Sequence, residues 1–438
     1  MLEVDLLITN IGQLVTVAGG NAPRTGPAQR SLGIVEDAAV AAKGGVVLAA
    51  GRRGEIERSV SVGTDGVIDA GGRVVTPGLV DPHTHAVFAG TREAEFAMRV
   101  AGSGYEEIAA SGGGIRSSVR AVRETTEGEL LAGGLATLDR MLAFGTTTAE
   151  VKSGYGLSTD SELKLLRAIA RAGETHAVGV VPTFLGAHEF PDEWRDDRDG
   201  YVDLLVNEMI PRVAGEGMAR FCDVFCEEGV FSVEQSRRVL EAGRELGLAP
   251  KLHADELHPS GGAQLAAEVG ARSADHLVCV SESGIEALAG AGVVAVLLPG
   301  TTLSLGGTRF APARAMIEAG VPVALATDCN PGSSMTESMQ IIMALGSMAL
   351  RMTPEEVLVA ATINAACAIG AEDVAGSIEP GKACDLVVWK VDDYRAIPYH
   401  YGVNLAGTVV AGGEPYRVTG IDPSPRRPAT GGREGGTG

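Results

Sequence analysis

The sequence predicts an α/β protein: a (β/α)8 TIM barrel in the middle of the chain and a small β domain formed by both chain ends. Eight short apolar runs alternate with amphipathic segments across residues 78–332. The two ends of the chain are instead rich in short β-type runs separated by Gly, Asn and Asp turns. At 438 residues the chain is longer than the roughly 250 residues of a typical barrel, which leaves room for a second domain.

The eight apolar runs are predicted to be the barrel strands. In chain order they read GLVDPHTH, GTTTAEVKSG, VGVVPTFLGAH, RFCDVFCEEG, APKLHADE, RSADHLVCV, GVVAVLLPG and VPVALATDCNPG. Nearly continuous apolar strands are typical of a parallel sheet that is buried on both faces. Helices are predicted over residues 161–174, 232–246 and 310–319, where apolar residues recur three and four positions apart. Capping-box patterns at Ser232 to Gln235 and Thr353 to Glu356 mark two helix starts.

The β-rich sequence at both chain ends predicts where the small domain ends and the barrel begins. Residues 1–76 and 376–420 would together form the small β domain, and residues 77–375 would form the barrel. No helical period stands out in the first 75 residues. Residues 421–438 are rich in Pro, Gly, Arg and Thr, which predicts a disordered tail.

Composition and charge exclude several classes of function. The formal charge is −20, from 36 basic and 56 acidic residues, and such a surface repels nucleic acids and anionic membranes. An anionic substrate would therefore need a dedicated cation at its site. Six cysteines without a dense pattern, and a start without the basic region of a signal peptide, predict a cytoplasmic protein with reduced thiols.

Polar side chains collect where the predicted strands end, which is where barrel enzymes carry their active sites. In chain order they are His83, His85, His188, Glu227, Glu228, His253, Glu256, His276 and Asp328. Residues two apart on a strand point to the same side, so His83 and His85 can share one metal ion.

Longer motifs carry a resemblance to a known family. PGLVDPHTH at residues 77–85, with His253 after the fifth strand and Asp328 after the eighth, resembles the amidohydrolase superfamily. FAMRVAGSGYEEIAASGGGI at residues 96–115, EVKSGYGL at 150–157, FLGAHE at 184–189, LHADEL at 252–257, ADHL at 274–277 and ATDCNPGSS at 326–334 narrow it to the imidazolonepropionase family, over about residues 4–415. The resemblance implies that the small domain is a β-sandwich. It also implies hydrolysis of the cyclic amide C–N bond of 4-imidazolone-5-propanoate to N-formimidoyl-L-glutamate.

The resemblance implies one metal ion per chain, zinc or iron, bound by His83, His85, His253 and Asp328. Asp328 would also accept a proton. His276 could orient the water or stabilise the developing oxyanion, and Glu256 could bind the ring nitrogens or carry a proton. Which of these three residues handles the proton stays open.

The substrate would be a small molecule with a propionate arm. Arg92 is the natural local cation for its carboxylate, because a guanidinium pairs with carboxylate through two hydrogen bonds. The expected substrate-binding residues are Arg92, Tyr105, Tyr155, His188, Glu256, Asn330, Gly332 and Ser333. Lys152, inside the KSGYG motif, is expected to support the structure rather than bridge two metals.

Two alternatives remain. A related deaminase or cyclic amidase acting on another nitrogen heterocycle would keep the metal ligands but would not need Arg92 or the KSGYG tyrosine. A catalytically dead scaffold is disfavoured because all four expected ligands are present. A homodimer is left open.

Overall fold

The computed structural model describes residues 1–102 and 113–418. Its strands are β1 (Leu2–Glu3), β2 (Leu6–Val15), β3 (Ile34–Lys43), β4 (Val46–Arg52), β5 (Val60–Ser61), β6 (Val67–Asp69), β7 (Val74–Pro77), β8 (Leu79–Asp81), β9 (Thr146–Lys152), β10 (Gly179–Ala187), β11 (Phe221–Cys226), β12 (Ala249–Ala254), β13 (Ser273–His276), β14 (Val294–Leu297), β15 (Val323–Leu325), β16 (Leu386–Trp389), β17 (Ala406–Ala411) and β18 (Glu414–Arg417).

The α-helices span Arg53–Ser59, Glu93–Val100, Ile115–Glu124, Glu127–Ala143, Thr159–Thr175, Arg198–Leu204, Ile210–Gly215, Val233–Glu245, Gly262–Val269, Glu282–Ala291, Pro299–Ser304, Ala313–Glu318, Met339–Met348, Pro354–Ala360, Ile363–Ala368 and Ala396–Tyr399. A π-helical turn at Leu205–Met209 joins two of them. Short 3-10 turns lie at Gly26–Arg30, Thr64–Gly66 and Asp192–Trp194.

Strands β8 to β15 form the barrel. They lie in chain order in one eight-stranded sheet, and every neighbouring pair is parallel. The first and last strands meet just beyond their carboxyl ends, where Thr84 and Cys329 form a parallel bridge. Because helices cover the outside, the strands are buried on both faces, as their apolar sequences require. The predicted (β/α)8 fold is confirmed.

A second sheet is built from both ends of the chain. Its strand order is β18-β17-β16-β7-β2-β3-β4, and β6 also pairs with β2. The two ends join where β16 pairs antiparallel with β7, with Leu386 opposite Pro77. Apolar side chains of β2, β3, β7, β16 and β17 form one core on this sheet. β7 leads directly into β8, so this sheet continues into the first barrel strand.

The first 75 residues, whose sequence shows no helical period, nevertheless contain one α-helix. A helix spans Arg53–Ser59, and its Ile56 packs against Val4, Leu7 and Ala39 on the face of the sheet opposite the main core. The helix has seven residues, about two turns, with one buried side chain, so it leaves almost no sequence periodicity.

The other predicted helices are present with small shifts. The capping boxes at Ser232 and Thr353 are confirmed, because each hydroxyl accepts a backbone N–H three residues on. The helix expected over residues 310–319 is shorter, Ala313–Glu318. The expected tail at residues 421–438 lies outside the described residues. In the described part of the chain, no helix is long and apolar enough to cross a membrane.

Candidate active site

The carboxyl ends of β8, β12 and β15 bring the four expected metal ligands together. The Asp328 N–H donates to the His83 carbonyl at 3.1 Å, and the His85 N–H donates to the Cys329 carbonyl at 3.0 Å. Asp328 Oδ1 lies 3.6 Å from His83 Nε2 and 3.7 Å from His85 Nε2. The His253 ring, at the end of β12, is 4.5 Å from the His83 ring between centroids. The backbone that closes the barrel therefore also assembles this cluster.

Two of the expected ligand histidines, His83 and His253, are oriented by buried carboxylates. His83 Nδ1 lies 2.6 Å from Asp275 Oδ2, and His253 Nδ1 lies 3.1 Å from Asp223 Oδ1. Since an ionised carboxylate only accepts hydrogen bonds, each Nδ1 carries the proton and each Nε2 keeps its lone pair. Both Nε2 atoms are buried and have no hydrogen-bond partner among the described residues. Burial lowers the pKa of His83 and His85 well below the usual value, so these imidazoles are neutral, as metal ligands must be.

Below the histidines, the barrel interior holds five fully buried charged side chains: Glu150, Lys152, Asp223, Lys251 and Asp275. We call them the buried charged layer. Lys152 Nζ lies 2.9 Å from Glu150, 2.7 Å from Asp223 and 3.5 Å from Asp275. Lys251 Nζ lies 2.7 Å from Glu150. Lys152 is thus paired with both carboxylates, Asp223 and Asp275, that orient the expected ligand histidines.

Except for Lys152, the members of this layer were not singled out from the sequence, although a signal was present. Lys251 precedes His253 by two residues on β12, and Glu150 precedes Lys152 by two on β9. Residues two apart face the same side of a strand, so these charges had to point inward with the site residues. An inward charge in a buried strand is a sign of a partner of opposite charge.

A cavity of about 520 Å³ opens above the ligand cluster. Eleven of the expected site residues line it: His85, Arg92, Tyr155, His188, His253, Glu256, His276, Asp328, Asn330, Gly332 and Ser333. His83 lies fully buried behind them. Tyr105 lies outside the described residues.

Glu256 and His276 are neighbours on the wall of this cavity. His276 Nδ1 lies 3.5 Å from Glu256 Oε2. Burial raises the pKa of Glu256 to about 8, and the nearby carboxylates of Asp328 and Glu227 add to the effect. Burial lowers the pKa of His276 well below its usual value. At neutral pH the pair is a protonated carboxyl beside a neutral imidazole, which can exchange a proton.

Asp328 is surrounded by hydrogen-bond donors. The Thr301 hydroxyl donates to Oδ2 at 2.6 Å. Burial raises the pKa of Asp328 to about 6, although the Thr301 hydrogen bond opposes this shift. A carboxylate whose pKa lies near neutrality can take up a proton during a reaction at physiological pH.

His188 and Tyr155 form one wall of the cavity. The His188 ring stacks on the His85 ring, with centroids 5.0 Å apart and an angle of 13°. His188 Nδ1 lies 3.0 Å from the Gly154 carbonyl, to which it donates, so Nε2 is left as an acceptor. Burial lowers the pKa of His188 to about 3. The Tyr155 ring lies 5.5 Å from the His188 ring.

The loop after Asp328 is held by its own hydrogen bonds. Asn330 Oδ1 accepts the N–H groups of Gly332 and Ser333, both at 2.8 Å. Asn330 Nδ2 donates to the Asp328 carbonyl at 2.7 Å and to the Ser333 hydroxyl at 2.9 Å. The expected donors of this loop are thus at the cavity but paired with one another, so substrate contacts by Asn330, Gly332 and Ser333 stay a prediction.

Arg92 lies on the cavity wall and is already paired. Its Nε and Nη2 lie 2.9 and 2.7 Å from Glu95 Oε2. Glu95 lies three residues after Arg92, in the helix Glu93–Val100 that follows β8, so helical spacing brings the two side chains together. The remaining histidines lie elsewhere: His176 contacts Asp139, His258 contacts Glu227, and His400 is exposed.

The comparisons with known proteins agree with this geometry. A model of the amidohydrolase family matches residues 74–414. The imidazolonepropionase of Alkaliphilus metalliredigens is 50% identical, over 94% of this chain and 98% of its own length. That of Geobacillus kaustophilus is 52% identical, over 93% of this chain and 97% of its own length. The chain belongs to the imidazolonepropionase family of amidohydrolases.

Solved structures of lower sequence identity share the fold alone. A zinc-bound adenosine deaminase from Xanthomonas campestris has a TM-score of 0.68 at 21% identity and covers 95% of this chain and 94% of its own. Guanine deaminase from E. coli also has a TM-score of 0.68, at 17% identity, and covers 94% of this chain and 100% of its own. Family membership and the clustered histidines and aspartate together indicate a metal-binding site in this imidazolonepropionase-family chain.

Proposed function

We propose that this chain hydrolyses the cyclic amide C–N bond of 4-imidazolone-5-propanoate and releases N-formimidoyl-L-glutamate. The observation that carries the proposal is the pairing of a metal-ligand cluster with Arg92 on the wall of the same cavity. A metal ion bound by the cluster would promote amide hydrolysis, and the arginine can bind the carboxylate of the substrate. In the reaction, the carbonyl carbon gains the water oxygen and the ring nitrogen gains a proton.

The ion would be bound by His83, His85, His253 and Asp328. We expect zinc or iron, because nitrogen and oxygen ligands discriminate only weakly between these metals. When bound, the ion would lower the pKa of water and polarise the amide carbonyl. The buried Nε2 atoms of His83 and His253 support this assignment, since they have no hydrogen-bond partner among the described residues.

Asp328 would accept a proton from the attacking water. Its Oδ2 is fixed by the Thr301 hydroxyl at 2.6 Å, so the carboxylate holds one orientation. Its other oxygen, Oδ1, lies 3.6 Å from His83 Nε2 and 3.7 Å from His85 Nε2, so the carboxylate is placed at the cluster where the water would be activated.

Glu256 and His276 would act on the ring side of the substrate. A protonated Glu256, with its pKa raised to about 8, can donate a hydrogen bond or a proton to a ring nitrogen as the C–N bond breaks. His276, 3.5 Å away, can orient the attacking water or stabilise the developing oxyanion.

Arg92, with Tyr155 and His188, would bind the propionate and orient the ring. The protein has a formal charge of −20, so recognition of an anionic substrate depends on this local cation. The neutral His188 and the buried Tyr155 line the same cavity as Arg92 and can orient the substrate ring.

The direct test is the absorbance loss of 4-imidazolone-5-propanoate on adding purified protein of known metal content. We expect a loss faster than the spontaneous decay of the substrate, and its suppression by a chelator. Elemental analysis of the same sample would distinguish zinc from iron. If protein with one metal ion per chain gives no loss, the proposed substrate is wrong, and other cyclic amides and amino-heterocycles should be assayed.

A further inference from the structure

Half of the Arg92 guanidinium is already engaged. Its Nε and Nη2 both donate to a single oxygen of Glu95, at 2.9 and 2.7 Å. The two side chains are largely buried, with exposed fractions of 17% for Arg92 and 12% for Glu95. Both line the cavity above the ligand cluster. An arginine in this arrangement can offer a substrate carboxylate only the part of its fork that Glu95 does not occupy.

Glu95 is itself fixed from two sides. The Gly114 N–H donates to Oε2 at 3.1 Å, and the Ser117 hydroxyl donates to Oε1 at 3.2 Å. Glu95 belongs to the helix Glu93–Val100, whereas Ser117 belongs to the helix Ile115–Glu124. The carboxylate therefore links two helix starts at the rim of the cavity, and the position of Arg92 is set by both.

Nη1 of Arg92, for which residues 1–102 and 113–418 provide no hydrogen-bond partner, is confined as well. A Cβ atom on Gly332 would lie 2.1 Å from Arg92 Nη1, so the arginine packs directly against the glycine backbone. Glu95 on one side and Gly332 on the other leave the guanidinium one orientation, in which Nη1 lies beside the loop that follows Asp328. Without Glu95, this long side chain would regain its rotamer freedom and could turn toward the acidic surface.

We propose that Glu95 is a positioning residue for substrate recognition: it holds the Nε and Nη2 edge of Arg92 so that Nη1 meets the substrate carboxylate. This inference rests on the proposed function. Glu95 places a negative charge near an anionic substrate, and it therefore also selects for substrates whose carboxylate reaches the free edge of Arg92. A carboxylate in another position meets Glu95 instead.

The test is a double-mutant cycle of Glu95→Ala and Arg92→Ala, read by steady-state kinetics on 4-imidazolone-5-propanoate. Glu95→Ala should raise KM about tenfold and change kcat less than about twofold. In the Arg92→Ala background the same substitution should change KM by less than about twofold, because its target is gone. Glu93→Ala is the matched control: it removes an exposed carboxylate from the same helix, and KM should stay within about twofold.

Three results would overturn the inference while wild-type turnover stands: an unchanged KM in Glu95→Ala, a lower KM, or a rise in KM that persists undiminished without Arg92. The last would mean that Glu95 acts by linking the two helices. If Glu95→Ala does not fold, Glu95→Gln takes its place in the cycle, because it keeps the shape but loses the charge. Absence of wild-type turnover would overturn the proposed function, and this inference with it.

Discussion

Asp328 stands in a left-handed backbone conformation, with φ at 53°. Asn and Asp tolerate this region better than other residues with a side chain, because their short polar side chains can form local hydrogen bonds. Its side chain faces two ligand histidines and accepts a hydrogen bond from Thr301. Asn at this position can keep the backbone conformation and the hydrogen bond while it loses the negative charge.

We therefore expect Asp328→Asn to lower kcat by about 10²–10⁴-fold, the usual contribution of general acid–base catalysis. Its free energy of unfolding in the metal-free state should stay within about 1 kcal/mol of the wild type, because the backbone is not strained. Asp328→Ala should lose the same activity and cost a further ~1–2 kcal/mol at this φ. Kinetics and urea unfolding measure both. Near-normal turnover in Asp328→Asn would rule out Asp328 as the proton acceptor.

Glu256 couples the stability of the metal-free protein to pH. Burial raises its folded-state pKa to about 8 from an ordinary value of 4.5. A group with a raised folded pKa contributes fully below its unfolded pKa, and the contribution is lost as pH rises through the folded pKa. Between about pH 4.5 and 8, the wild type should lose up to about 4 kcal/mol relative to Glu256→Gln, which does not titrate.

The measurement is urea unfolding of chelator-treated wild type and Glu256→Gln at several pH values. Other titrating groups are common to both proteins, so the difference isolates Glu256. A constant difference from pH 5 to 8 would mean that Glu256 is ionised in the folded protein throughout. The proposed role of Glu256 as a proton donor at neutral pH would then fail.

Single residues differ in how far the sequence could reveal them. His83, His85, His253 and Asp328 could be predicted because strand ends of a barrel converge. Glu95 was not singled out, although its i,i+3 spacing from Arg92 is a helical signal. Its bonds to Gly114 and Ser117 could be found only in the structure, because they depend on how two helices pack at the rim. For the same reason, the internal hydrogen bonds of Asn330 could be found only in the structure.

Whole strands carry the buried charged layer. Barrel interiors are usually filled by branched apolar side chains, but here β9, β11, β12 and β13 each turn at least one charge inward. Lys152 is the centre of the layer, because its ammonium contacts all three carboxylates. Apolar runs were enough to predict these strands. The charges within them were not interpreted, because their partners lie on other strands.

We expect Lys152→Met to destabilise the metal-free protein by about 3–5 kcal/mol, since it leaves buried carboxylates without their counter-ion. Lys43→Met is the control: Lys43 is half-exposed and pairs with Glu3 at 3.5 Å, and its loss should cost less than about 1 kcal/mol. Urea unfolding of the wild type and both variants measures the change in the free energy of unfolding. Equal small losses would show that the layer adapts to a missing charge, and the ligand histidines would then need another explanation for their fixed orientation.

At the scale of the whole molecule, one strand pairing connects the two chain ends with the barrel. The pairing of β7 with β16 joins the two chain ends, and β7 continues into β8, which carries His83 and His85 just beyond its end. The overall architecture could be predicted because strand and helix patterns alternate over a long stretch. The division at residues 76 and 376 stays a prediction. The short helix Arg53–Ser59 was missed because packing and not local sequence stabilises it.

The ligand cluster joins the first, fifth and last barrel strands, so metal binding should stabilise the whole fold. A ligand that binds only the folded state stabilises it by about 4 kcal/mol at a free concentration of 1,000 times its Kd, and by a further ~1.4 kcal/mol per tenfold increase. We expect the thermal midpoint to fall on chelation and to recover when zinc is added back. His253→Ala should lose most of this dependence, whereas His400→Ala, which removes an exposed histidine, should keep it. An unchanged midpoint in metal-free wild type would mean that the ion does not hold the barrel closed, and that the Thr84–Cys329 bridge and its neighbouring hydrogen bonds suffice.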